Sequence, residues 1–123
     1  MAKEKWLTDL FKNIDSKDSA AFAKFLSEDV EFRFGNSPVI KDRKAITETV
    51  EAFFKSIRGL HHEITQTWIQ ADSVICHGMV TYTRHDSTTL TVPFANIFTL
   101  SSNLVSRYLI FVDLSALYSS VGA

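Results

Sequence analysis

Cysteine is almost absent. Cys76 stands alone, so neither an internal disulfide nor a CxxC pair is available. Four glycines and two prolines in 123 residues leave no phosphate-binding glycine loop, and there is no GxSxG elbow. An excess of cations is missing too: 13 Lys and Arg stand against 14 Asp and Glu, for a net charge of -1. That balance excludes the phosphate-neutralising surface of a nucleic-acid binder. No apolar run approaches the roughly 18 residues of a membrane span. The start, Met1 to Trp6, is charged and then amphipathic without an apolar stretch, so neither a signal peptide nor membrane attachment is expected. What remains, 46% hydrophobic and 22% charged with ten Phe, is the composition of one soluble domain over 1–123, expected in the cytoplasm.

Charge is unevenly spread. Residues 59–123 carry only Glu63, Asp72, Arg84, Asp86, Arg107 and Asp113. A sheet with one face in water alternates polar residues outward. Here the outward positions Thr81, Thr83, Thr91, Pro93, Ala95 and Thr99 hold no charge, while Arg107 on the same face is placed to pair across an interface or with Glu63. Interface cores are depleted in charge, so a homodimer through this face is expected. The alternative is a solvated face rich in Thr, which β propensity tolerates.

Periodicity divides the chain. Trp6, Leu7, Leu10, Phe11 and Ile14 form a helical stripe, followed by a polar break at residues 15–18 in which Asp18 or Ser16 can cap the next element. Phe22, Phe25 and Leu26 predict a second short helix ending near residues 27–29, and residues 30–34 alternate as a strand. A turn cluster at 35–38 precedes a helix capped by Asp42, with Ile46, Val50, Phe53, Phe54 and Ile57 inward and Gly59 as a left-handed terminator. Four long strands follow at 60–70, 73–85, 88–100 and 104–114, joined by hairpin-length links, with a last helical turn at 115–118. The order α-α-β-α-β-β-β-β predicts an α+β fold: a cone-shaped antiparallel sheet curled around the helices, with an internal cavity as the default ligand site.

Several segments carry a family resemblance: Leu26-Ser27-Glu28-Asp29-Val30-Glu31-Phe32, Lys41-Asp42-Arg43-Lys44-Ala45-Ile46, the strand around Val74 to Gly78, and Val105 to Leu114. In this order they make the chain similar to the SnoaL-like branch of the nuclear-transport-factor-2-like superfamily. That superfamily holds polyketide cyclases, ketosteroid isomerases, limonene-epoxide hydrolases and non-catalytic proteins. The resemblance implies polar groups at Phe32 and Phe34, at Gly78 and Val80, and an acid at Ile110, all of which are apolar or absent in this chain. A hydrolase needs a base to activate water, and none stands at those positions.

The cavity set implied by the same matching includes Phe32, Phe34, Phe54, Cys76, Val80, Tyr82, Phe94, Asn96, Tyr108 and Ile110, with Arg84 as a further polar group. Such a lining suits a small lipophilic molecule, unless the side chains simply fill the core. Asp113, the only acid of the last strand, is the candidate general base with Tyr108 or Tyr82, or else a cap on the turn that follows. His61 and His62 are adjacent and cannot form a two-ligand metal pair on one strand face, and His77 and His85 are isolated; no metal and no cofactor are expected. His62 is placed at the cavity rim as an acid/base or as a surface histidine. Three functions remain open: a binder of a small lipophilic ligand, an isomerase or cyclase abstracting a proton beside a carbonyl, and a non-catalytic accessory subunit.

Overall fold

The amphipathic stripe near the start folds as α1 (Lys3–Asp15), burying Leu7, Leu10, Phe11 and Ile14. The computed structural model describes residues 3–118. Asp18 accepts from Ala21 N at 2.9 Å and starts α2, which is only Ser19–Ala23. The sequence pattern extends this helix through Leu26, but the structure ends it earlier. Val105 N donates to Phe25 O at 2.7 Å and Leu26 pairs with Val105, so a strand from the other end of the chain captures this backbone. Strand β1 therefore runs Leu26–Phe34, and a two-residue strand β2, Ile40–Lys41, pairs with it where no strand is expected.

Helix α3 (Arg43–Lys55) begins at Asp42, whose carboxylate accepts from Ala45 N at 3.2 Å. Lys17 Nζ donates to Phe54 O and Ile57 O at its other end, where a cation suits the exposed carbonyls. Gly59 is not the left-handed terminator: Ser56 closes α3 in a right-handed conformation, and Gly59 opens β3 (Gly59–Gln70) opposite Thr83. Strands β4 (Ser73–Thr83), β5 (Thr89–Ser101) and β6 (Leu104–Val112) follow as hairpins. The sheet order is β2-β1-β6-β5-β4-β3. All neighbours are antiparallel except β1 and β6, which are parallel, so the sheet is mixed rather than antiparallel throughout. It is curved and not closed.

Alternation puts Val74, Cys76, Val80 and Tyr82 of β4 and Phe94, Asn96 and Phe98 of β5 against the helices, all buried. β3 carries a register shift between Ile64 and Gln66, opposite Gly78. A Cβ on Gly78 would lie 1.9 Å from the Glu63 carbonyl oxygen, so only glycine permits this approach. After β6 the chain makes one turn, with Leu117 N donating to Leu114 O at 2.9 Å. The Arg84 guanidinium holds that turn through Leu117 O at 2.9 Å and Ala116 O at 3.1 Å, so it serves the terminus and not the cavity.

Candidate functional site

Between the helices and the concave face lies a chamber of about 50 Å³. That is room for about one or two water molecules. Its apolar wall includes Phe22, Phe32, Phe34, Phe53, Phe94 and Ile110; its polar wall is His62, Tyr82, Asn96 and Tyr108. Of the residues expected at a ligand site, Phe32, Phe34, Tyr82, Phe94, Asn96, Tyr108 and Ile110 line this chamber, whereas Phe54, Cys76 and Val80 are buried around it without lining it. Burial pushes the Cys76 thiol up to about 12, which makes it a poor nucleophile.

Asn96 is 1% exposed. Its Nδ2 donates to Tyr108 Oη at 3.2 Å, while its Oδ1 is buried with no hydrogen-bond partner among the described residues. An orphaned buried acceptor costs about 1–3 kcal/mol, so its place on a residue that lines the chamber is informative. Burial, and then the nearby Cys76, Tyr82 and Asp15 groups, raise the Tyr108 hydroxyl well above the ordinary tyrosine value. Burial raises Tyr82 as well. Both remain neutral hydrogen-bond donors at ordinary pH.

On the opposite strand edge, His62 Nδ1 lies 2.6 Å from Asp15 Oδ1, and His62 N donates to Asp15 Oδ2 at 3.0 Å. The His62 side chain is 9% exposed and packs its ring on Phe11 at 4.7 Å and Phe94 at 5.0 Å. It is therefore a half-buried member of the chamber wall, its ring packed inward. Asp15, read from sequence only as part of a polar break, is the group that orients it. One signal of that role was present: a carboxylate at a helix C-terminus opposes the helix dipole and needs a compensating donor.

A second, open cleft of about 1260 Å³ adjoins the chamber. It runs between α3 (Thr49, Ala52, Ser56) and the ends of β5 and β6 (Val92, Pro93, Phe111, Val112). Phe34, Phe53 and Phe94 line both spaces and form the partition between them. The rings of Phe34 and Phe53 meet nearly perpendicular at 4.9 Å. Asp113 borders this outer cleft, not the chamber that holds Tyr108. It is exposed, its Oδ1 accepts from Ser115 N at 2.9 Å, and that backbone N–H, with the Ser115 side chain, holds its carboxyl below the ordinary range. Among the described residues no three His, Cys, Asp or Glu side chains converge into a metal-binding set.

Helices enclosed by a curved six-stranded mixed sheet, with a chamber between them, define an α+β domain of nuclear-transport-factor-2-like form. An NTF2-like protein of unknown function from Burkholderia pseudomallei superposes with a TM-score of 0.86 at 9% identity over all of both chains. The chain belongs to the SnoaL-like domain family, whose profile matches residues 7–108. TerC, crystallised with polyporic acid, is similar at a TM-score of 0.78 and 17% identity over 95% of each chain. An LEH-like epoxide hydrolase of M. tuberculosis is similar at 0.76 and 8% identity, covering 88% of this chain and 80% of that one. No curated protein matches the sequence.

Proposed function

We propose that this chain binds a small lipophilic molecule with one polar end, seated against the aromatic partition with the polar end in the chamber. The unpartnered Asn96 Oδ1 carries this reading, because a ligand donor would satisfy an atom that the protein leaves orphaned. The chamber alone is too small for a steroid-sized body, so the bulk of such a ligand would occupy the outer cleft, with Phe34, Phe53 and Phe94 turning to admit its end. TerC adds a relative of this fold crystallised with an organic ligand, polyporic acid. A thermal-shift screen of steroids, terpenoids, aromatic polyketides and fatty acids tests it. A ligand at a hundred times its Kd stabilises by about 2.7 kcal/mol. Hits should weaken in Ile110→Asp, which places a charge in the apolar wall; stabilisation by none of the four classes would favour the accessory-subunit reading.

An isomerase or cyclase built on Asp113 and a tyrosine is less well supported, since the Asp113 carboxylate is exposed and engaged by Ser115. A homodimer has a specific observation in its favour. The outer sheet face exposes Trp68 (46%), Met79 (39%) and Phe111 (51%). Thr81 and Thr91 beside them bond each other at 2.9 Å, and Arg107 is 3.5 Å from Glu31 of its own chain rather than near Glu63. Sedimentation at micromolar concentration should give a dimer that Phe111→Glu dissociates. A 13.9 kDa species alone would remove the dimer.

A further inference from the structure

We infer that the open outer cleft selects organic cations, holding an aryl or alkyl ammonium group by the Asp113 carboxylate and the aromatic wall. This rests on the reading that the body of the ligand lies in that cleft, and it gives the part outside the chamber a charge. The first observation is an uncompensated carboxylate. Among the described lining residues Asp113 alone is charged, and it makes no ion pair with a described residue. Arg33 and Arg84 reach the rim without pairing with it. Arg33 Nε donates to Ser37 O at 3.2 Å, and Arg84 donates to Leu117 O at 2.9 Å and Ala116 O at 3.1 Å. Ser115 engages Asp113 through its backbone N–H and its side chain and keeps the carboxyl ionised at neutral pH. A carboxylate has about four acceptor sites, so room for a ligand donor remains.

The second observation is the wall. Phe34, Phe53 and Phe94 line the cleft, and a 2.7 Å bond between the Tyr118 hydroxyl and Ser56 Oγ pins a fourth ring at its side. Aromatic faces are the negative side of the ring quadrupole, so rings and carboxylate add potentials of the same sign. Walls of low dielectric focus that field. An anion meets repulsion with no cation to offset it, and a neutral body gains only apolar contact. An ammonium group gains from both the carboxylate and the rings. Volume does little of the selecting, because about 1260 Å³ is ample for an aryl or alkyl body.

The test is calorimetric titration of the full chain with three probes that share one body: phenylbutyltrimethylammonium, phenylbutanol and phenylpentanoate. The cation should bind about tenfold more tightly than the alcohol, the joint worth of an exposed ion pair and a cation–π contact. The anion should bind more weakly than either. Asp113→Asn should lower the affinity for the cation about fivefold and leave that for the alcohol unchanged. Tyr118→Leu should lower it about threefold. Sodium chloride at about 0.5 M should weaken the cation and spare the alcohol. Should Asp113→Asn fail to fold by circular dichroism, the salt dependence and Tyr118→Leu decide. An alcohol bound as tightly as the cation, or a cation preference that survives Asp113→Asn, overturns the charge inference alone. No binding by any of the probes overturns it together with the reading beneath it.

Discussion

The Asn96–Tyr108 pair makes a prediction whose sign changes between a single and a double substitution. In the native chain one buried hydrogen bond of 3.2 Å coexists with one orphaned acceptor, Asn96 Oδ1. Tyr108→Phe deletes the bond, worth about 1 kcal/mol, and leaves Nδ2 orphaned beside Oδ1, for a total near 2–3 kcal/mol of destabilisation. Adding Asn96→Leu removes both orphans and fills nearly the same volume. The double variant then loses the bond but also the native penalty of about 1–3 kcal/mol, and should be neutral or more stable than wild type by about 1 kcal/mol. Urea unfolding followed by circular dichroism measures both, and an unchanged slope would show that the denatured state is not the cause. In a domain of this size 1 kcal/mol moves Tm by about 4 °C. A double variant as unstable as Tyr108→Phe would refute the reasoning, because it would mean that ordered water already satisfies Asn96. The expected cost is functional: the stabilised variant should lose the ligand-induced thermal shift.

Gly78→Ala should destabilise by about 3 kcal/mol or more, since its Cβ would meet backbone and not a yielding side chain, and hydrogen exchange should rise along residues 59–70. Asp113→Asn keeps the oxygen that accepts from Ser115 N and should leave the urea midpoint near that of wild type at pH 7. The folded-state values of Asp113 and Asp86 are depressed, by Ser115 and Thr88 respectively, so their contribution is complete above the ordinary carboxylate range and fades as pH falls below it. An acid titration of Tm should accordingly flatten in the Asp86→Asn, Asp113→Asn pair. Cys76, buried with its thiol pushed up to about 12, should resist iodoacetamide at pH 8 until the chain is unfolded in urea; rapid labelling of the native protein would contradict its burial.

The helix over 43–55 and the last four strands were legible because each is specified locally, by the Asp42 cap, by the inward spacing of Ile46, Val50 and Phe54, and by hairpin links short enough to force neighbours together. What escaped was specified at a distance. Leu26 belongs to a strand because Val105 lies beside it, and Ile40–Lys41 is a strand only through Glu31 and Phe32. The site divides in the same way. The family resemblance implies that Tyr82, Phe94, Asn96, Tyr108 and Ile110 face inward, but strand parity does not say which inward residues touch empty space, and so does not separate Cys76 and Val80 from them. Asp15 and His62 meet only once α1 packs on β3, and neither residue type at its own position announces the other.

The parallel pairing of β1 with β6 also governs the order in which the protein can be completed during synthesis. Strands β3 to β5 find their partners as soon as they leave the ribosome, but β1, made early, waits for nearly the whole chain before Val105 and Tyr108 exist. Until then its only possible sheet partner is the two-residue β2, and its backbone edge stays open. Joining of β1 to the rest of the sheet and construction of the chamber are thus the same late event, because the strand that fills the gap also brings Tyr108 and Ile110. A nascent chain lacking β6 would carry its helices and three paired strands, yet have no cavity to offer.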